Sequence, residues 1–342
     1  MKKKLFIGID FSKKTFDVSV MHSLDLEGVS YRQFGNTREG CEEMLKWMKT
    51  QTVLPQEEWL FCGEHTGLCD VLVSNFLVKQ GLFMWLENPM QIKSCTGIKR
   101  EKSDRIDSRD IALYACRYQD KQRAYHLPDK DLKALDELLS YRERLVSAKH
   151  TFVVSANELR GVYQRDVNVR HIYEDSRQEI ERLNKKIKAT EALMKKLIAA
   201  NESLNETYQL VTSIKGIALI NAVAFIVLTE NFTRFETSRQ FACYAGMAPF
   251  GRQSGTALNT HPHVSHLANK KIKKLLTQAA LCAMRHDKNM RQYYERKRAE
   301  GKHEGVIINN VRNKLIHCIF AVVRSKVFYQ EDYLNPLKKA IA

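Results

Sequence analysis

Leu5-Phe6-Ile7-Gly8-Ile9-Asp10 is an apolar run that ends in an acid, and Thr15-Phe16-Asp17-Val18-Ser19-Val20 follows it with strict alternation. Runs of this length and kind form strands. Val29 to Gly35 reads as a third, and short turns join the three into a meander. Thr37 to Thr50 then switches to helical spacing, with Cys41, Met44, Leu45, Trp47 and Met48 on one face. Trp59-Leu60-Phe61-Cys62-Gly63-Glu64 is a second apolar strand ending in an acid, Asp70 to Gln80 a helix, and Leu82 to Leu86 strand-like. Strand–helix alternation implies parallel pairings with helices covering a sheet, an α/β domain over residues 1–125.

The run Ile98-Lys99-Arg100-Glu101-Lys102-Ser103-Asp104-Arg105-Ile106-Asp107-Ser108-Arg109-Asp110 carries the chemistry. If Ser103 caps a helix continuing through Ile111, Ala112 and Leu113, Asp104 and Asp107 share its first turn and one face. There they meet the positive end of the helix dipole. Lys99, Arg100, Lys102, Arg105 and Arg109 surround them. Taken alone, the run is an ordinary solvated helix start with charge pairs. Asp10 and Glu64, singly, are strand-end caps. Jointly the reading changes, because ligands of open α/β sheets gather at one end of the strands. Four carboxylates converging there cannot all stay ionised without a cation. One or two Mg²⁺ ions flanking a scissile phosphate resolve the repulsion.

The chain has 342 residues, suited to two or three domains, and a formal net charge of +16. That excess favours a polyanionic partner, nucleic acid before an anionic membrane. No apolar run is read as membrane-spanning, and Met1-Lys2-Lys3-Lys4 leads into a strand instead of a signal peptide. Eight cysteines without a C-x-x-C pair indicate reduced thiols in a cytoplasmic protein.

Residues 126–205 change character. Leu138, Leu145, Phe152 and Leu159 recur every seven residues, and Ile180, Leu183, Ile187, Met194 and Leu197 repeat similarly. Two such helices make an antiparallel hairpin or an intermolecular coiled coil. Residues 206–330 form a mostly helical unit, with 331–342 a tail. Gly216 turns sharply between two helices, either as a phosphate contact or as a plain hairpin turn. Met247-Ala248-Pro249-Phe250-Gly251-Arg252-Gln253-Ser254-Gly255 reads as a glycine-rich loop between helices, in which Arg252 is placed to hold a phosphate. By chemistry alone Ser254 is a loop serine, since no His or Asp stands beside it to activate it. His261, His263 and His266 surround Pro262 in a loop without a companion carboxylate or Cys, a weak metal pattern. Lys270, Lys271, Lys273 and Lys274 open a basic amphipathic helix fit to touch phosphate. Tyr293 and Tyr294 among Arg291, Arg296, Lys297 and Arg298 make either a stacking surface for nucleic acid or a solvated helix. A final helix, Asn309 to about Phe328, reads as core packing.

Gly8-Ile9-Asp10, Gly63-Glu64-His65-Thr66-Gly67 and Lys102-Ser103-Asp104-Arg105-Ile106-Asp107, in that order, resemble the three blocks of the DEDD transposases of insertion sequences, relatives of the Piv-type invertases. Ala245-Gly246-Met247-Ala248-Pro249 followed by Ser254-Gly255 resembles the carboxy-terminal transposase block of the same family. The resemblance implies an RNase H-like (RuvC-like) amino-terminal domain, Mg²⁺ at Asp10, Glu64, Asp104 and Asp107, and Ser254 as a nucleophile that links covalently to DNA. It further implies a noncoding guide RNA, donor and target DNA as partners, and a homo-oligomer, dimer or tetramer. The missing G-x-x-x-x-G-K-[ST] loop fits a reaction that conserves phosphodiester energy. Two alternatives stand beside it: a metal-dependent Holliday-junction-type nuclease using water, and a non-catalytic basic nucleic-acid scaffold.

Overall fold

The structure, a computed structural model, describes residues 3–24, 28–97, 103–163, 167–254, 258–264 and 268–331, and divides into two units, Met1–Pro128 and Asp129–Ala342.

In the first unit, alternation sorts the central strand β1 (Leu5–Phe11) into two faces: Leu5, Ile7, Ile9 and Phe11 on one, Phe6, Gly8 and Asp10 on the other. It pairs antiparallel with β2 (Thr15–Met21), which pairs antiparallel with β3 (Ser30–Gly35). On its other side it pairs parallel with β4 (Trp59–Glu64), and β4 with β5 (Met84–Glu87). The resulting sheet has the order β3-β2-β1-β4-β5. Helices α1 (Arg38–Gln51) and α2 (Val71–Lys79) cover the Leu5 face, burying Met44, Met48, Val73 and Leu77 against Phe16, Trp59 and Phe61. Thr37 starts α1 by accepting a hydrogen bond from the Gly40 amide. Helices α3 (Pro89–Thr96) and α4 (Asp104–Arg117) cover the opposite face, where Ile111, Ala112 and Ala115 pack on Phe6, Leu60, Cys62 and Trp85. Each fully buried aromatic or branched side chain stabilises this arrangement by about 1.5–3 kcal/mol.

The second unit is mostly helical. Helices α5 (Lys130–Tyr163) and α6 (Val167–Ala200) form an intrachain antiparallel hairpin, tied by Arg142 Nε to Glu191 Oε1 at 2.6 Å and Lys149 Nζ to Asn184 Oδ1 at 3.2 Å. Leu145, Leu183 and Ile187 bury one another along it, whereas Phe152 is 39% exposed. The heptad pattern therefore holds over only part of α5. Helices α7 (Glu202–Thr212), α8 (Leu219–Leu228) and α9 (Ser238–Tyr244) follow. A hairpin of β6 (Pro249–Ser254) and β7 (Leu258–Val264) then leads to α10 (Lys270–His286), α11 (Lys288–Ala299) and α12 (Glu304–Ser325). Leu135 and Met194 from the hairpin base join Val211, Phe225, Phe241, Leu276 and Ile319 in one core.

Helix α12 corrects one expectation. It is long and apolar enough by composition to cross a membrane, although the sequence is read as having no such run. Its Val311, Leu315, Ile316, Ile319 and Phe320 are spent inside the core. All eight cysteines are free.

Candidate active site

Gly8 decides where α4 can lie. A Cβ built there would stand 2.0 Å from the Ser108 carbonyl oxygen and 2.3 Å from the Ala112 nitrogen, so only glycine lets the helix backbone come this close to β1. Beside this contact, Ser19 and Ser108 hydroxyls hydrogen-bond at 2.8 Å in the interior. Two residues along β1 on the same face stands Asp10, and one turn back along α4 stand Asp104 and Asp107. Ser103 caps α4 as its sequence predicts, accepting from the Ile106 amide at 3.3 Å. Parallel pairing of Ile9 with Gly63 brings Asp10 and Glu64 out side by side at the strand ends. Gly8→Val should push α4 off the sheet, lowering stability by about 3 kcal/mol. Thermal melting should show a fall on the order of 10 °C; an unchanged melt would refute the close contact.

The electrostatics tie Asp10 to the acids around it. The Asp10 carboxyl is pushed up to about 7, first by burial and then by the charges of Asp107, Asp104, Glu64 and Asp17. The last of these was not among the expected residues. Asp17 lies directly opposite Asp10 in the β1–β2 ladder, is 2% exposed, and accepts from Tyr31 Oη at 2.5 Å and Gln33 Nε2 at 3.2 Å. Glu87 extends the row: it pairs with Glu64 in register and accepts from Tyr114 Oη at 3.3 Å and the Asn88 amide at 2.7 Å. Next to Glu64, His65 Nδ1 meets the buried Asp70 Oδ2 at 2.6 Å. Strand alternation was the available signal for Asp17, since it shares a face with Ser19 and Met21, opposite Phe16 and Val18.

Oxygen-only donors of this kind fit a hard divalent cation, and burial together with the neighbouring carboxylates raises Asp10 in a way that such a cation would offset. As the side chains stand, no group of three or more His, Cys, Asp or Glu among the described residues is drawn together tightly enough to enclose an ion. The raised value also fixes a pH dependence of stability. Between the ordinary carboxyl value of 3.8 and about 7, folded Asp10 holds a proton that the unfolded chain has released. The stabilisation is full below that window and is lost as pH rises through 7. Discounted for partial exposure, it is on the order of 1 kcal/mol. Without metal, Asp10→Asn should raise the melting temperature by roughly 2–4 °C at pH 8 and leave it unchanged at pH 4. An equal shift at both pH values would contradict the assigned cause.

Of the surrounding bases, Arg105 lies over the Tyr31 ring, 5.3 Å from its centroid, and Arg109 sits 3.8 Å from Asp110. Lys99, Arg100 and Lys102 lie outside the described residues.

In the second unit the serine segment departs from expectation. It is a strand: Ser254 ends β6 opposite Leu258, and Arg252 pairs with Thr260, an arrangement that the flanking glycines and Pro249 disguise as loop. The side chains of Arg252 and Ser254 lie outside what is described. His261 and His263 belong to β7, not to a loop, and His266 lies outside the described residues. Asn269 caps α10 by accepting from the Lys271 and Ile272 amides. Its first turn carries Lys270 and Lys274 exposed, Lys273 half-buried, and Lys271 paired with Glu143 at 2.7 Å. Bases at this positive end of a helix oppose the dipole and favour an anion there. Gly216 has φ +94° and lies against α10, where a Cβ would stand 2.6 Å from the Ala279 oxygen. It is a packed turn, not an open phosphate nest. Lys314 Nζ and Arg296 already occupy the Tyr293 ring, at 4.3 and 5.5 Å, which leaves less of it for a stacked base.

Comparison with known proteins joins the two halves. A model of the IS110 DEDD transposase family matches residues 7–162, the span of Asp10, Glu64, Asp104 and Asp107. The model described as Transposase IS116/IS110/IS902 family matches residues 208–295, the span of Ser254. The pilin gene-inverting protein of Moraxella bovis is 24% identical over 337 residues, covering 94% of this chain and 96% of its own. An uncharacterised 43.6 kDa protein of insertion element IS110 from Streptomyces coelicolor is 31% identical over 119 residues, covering 35% of this chain and 29% of that protein. The transposase for insertion sequence element IS1111A of Coxiella burnetii is 25% identical over 233 residues, 61% of this chain and 62% of its own. Two transposase family models are matched in order and a relative is aligned along nearly the whole length, so the chain is similar over most of its extent to the DEDD transposases of the IS110/IS116/IS902 family.

Proposed function

We propose that this protein is a DNA recombinase that cuts and rejoins strands of an insertion sequence through a phosphoserine intermediate. The observation that supports it most is Asp10, held near pKa 7 first by its burial and then by the charges of Asp107, Asp104, Glu64 and Asp17. Asp10, Glu64, Asp104 and Asp107 are the residues that would hold Mg²⁺, in an RNase H-like (RuvC-like) domain over 1–125. The sheet order, antiparallel on one side of β1 and parallel on the other, supports that fold. When bound, the metal supplies Lewis-acid polarisation of the scissile phosphate. Residues 126–205 serve as helical spacer and 206–330 as the transposase domain, with 331–342 a tail.

Ser254 Oγ forms a bond to phosphorus, and the bond from phosphorus to the 3′ oxygen breaks, that oxygen leaving with a proton. DNA is then held on Ser254 through its 5′ phosphate. A 3′-hydroxyl of another strand attacks the same phosphorus and releases the serine, so phosphodiester bonds are conserved and no nucleotide cofactor is consumed. Arg105, Arg252, Lys270, Lys271, Lys273 and Lys274, with Lys99, Arg100 and Lys102, contact phosphates. A noncoding guide RNA pairing with donor and target DNA, and a homo-oligomer engaging two duplexes, complete the assembly. The net charge of +16 supports polyanionic partners. Incubation of the purified protein and its bound RNA with labelled donor and target duplexes tests this. Joined product should need Mg²⁺ and disappear on chelation or on RNase treatment. Product that survives chelation would refute the metal; product that survives RNase would refute the guide.

A further inference from the structure

Arg105 stands in sequence between Asp104 and Asp107, on the same first helical turn. Residues one and two apart do not face each other on a helix, but a long arginine stem can swing round to either carboxylate, where it would compete with a divalent ion for the same oxygens. The structure holds it elsewhere. Among the described residues no carboxylate stands within ion-pair distance of Arg105; its guanidinium lies on the Tyr31 ring instead, 5.3 Å from the centroid.

That ring is fixed. Tyr31 Oη donates to Asp17 Oδ1 at 2.5 Å, and Asp17 is immobilised by its own burial and by Gln33 Nε2 at 3.2 Å from both of its oxygens. Tyr31 and Gln33 lie two apart on β3, paired with Ser19 and Asp17 across the β2–β3 ladder, so register sets the whole chain of contacts. An anchored aromatic face is a rigid seat for a planar guanidinium, whereas a free tyrosine is not.

We propose that Tyr31, anchored by Asp17, is a positioning residue that keeps Arg105 off Asp104 and Asp107, leaving those carboxylates to the divalent cation. Arg105 retains its full charge for a DNA phosphate as a consequence. This inference rests on the four-acid metal site proposed above, and it makes Tyr31 a determinant of metal affinity without being a ligand.

Mn²⁺ binding to the full chain, followed by calorimetric titration and by the electron paramagnetic resonance of the free ion, tests it without an activity readout. Wild type should bind Mn²⁺ and Asp10→Asn should not. Tyr31→Ala should weaken binding about fivefold, the scale of an exposed ion pair released to compete. Arg105→Ala should bind at least as tightly as wild type, and the Tyr31→Ala/Arg105→Ala double variant should return to within about twofold of it. Since β3 is an edge strand, Tyr31→Leu keeps bulk without a ring face, and it should repeat the Tyr31→Ala result if the alanine variant melts early. Intact binding that ignores Tyr31, or a double variant as weak as Tyr31→Ala and Tyr31→Leu, overturns the inference alone. A wild type that binds no Mn²⁺, or an Asp10→Asn protein that binds as well, overturns the metal site and the inference with it.

Discussion

Asp10→Asn is expected to lower strand cleavage by at least about a thousandfold at pH 8, because metal polarisation of a phosphoryl oxygen contributes several kcal/mol of transition-state stabilisation. Asparagine keeps the size of the side chain and the strand, so the fold survives; what is lost is an anionic oxygen facing Glu64 and the α4 turn. Asp107→Asn should behave alike, since Asp107 is the strongest of the charges acting on Asp10. Lowering the pH of the wild type should mimic the substitution reversibly. The Asp10 carboxyl takes up its proton near 7, so cleavage at fixed Mg²⁺ should fall as pH drops below 7, and added Mg²⁺ should restore it by displacing that proton. A pH profile that Mg²⁺ does not shift would separate Asp10 from the metal. Gel assays of a labelled duplex across pH and Mg²⁺ concentration supply both readings.

Ser254→Ala should be the more severe loss, about 10⁴-fold or greater, since removing a nucleophile that acts in concert with its activating groups costs nearly as much as removing the whole set. A water-using nuclease built on the same acids would keep full activity in this variant and leave free 5′ phosphates. The two substitutions should also differ in kind. Mn²⁺ binding should be lost in Asp10→Asn and unchanged in Ser254→Ala, because Ser254 is proposed as nucleophile and not as ligand. Measuring cleavage and Mn²⁺ affinity on both proteins distinguishes a lost metal from a lost nucleophile.

What the sequence disclosed depended on how local the cause was. The α4 start was legible because a cap and its acids are fixed within one turn: Ser103 to the Ile106 amide, with Asp104 and Asp107 three apart. The end of β4 was legible because its apolar run stops at Glu64, whereas β1 runs one residue past Asp10 to the buried Phe11. Asp17 and Glu87 were not, since their place beside Asp10 and Glu64 comes from ladder register, which no single strand encodes. Gly8 carries its meaning from a helix a hundred residues on, and only the approach of Ser108 and Ala112 reveals it. The β6–β7 hairpin hid behind Pro249, Gly251 and Gly255, residues that ordinarily mark loops. Helix α12 went unread as membrane-length because its apolar residues are interrupted by Asn309, Arg312 and Asn313, yet the same residues bury a full core face. The heptads predicted continuous packing along α5, but Phe152 is left exposed by its partner helix.

The proposed phosphoserine route requires that Ser254 be the residue that takes the phosphate. Full-length protein with its bound RNA, Mg²⁺ and labelled recombining DNA should be stopped in mid-reaction, digested, and read by mass spectrometry. A nucleotide attached through phosphate to the peptide bearing Ser254, absent in Ser254→Ala and in Asp10→Asn, is the expected result. Cleaved DNA with an unmodified Ser254 peptide, and the same cleavage in Ser254→Ala, would contradict it.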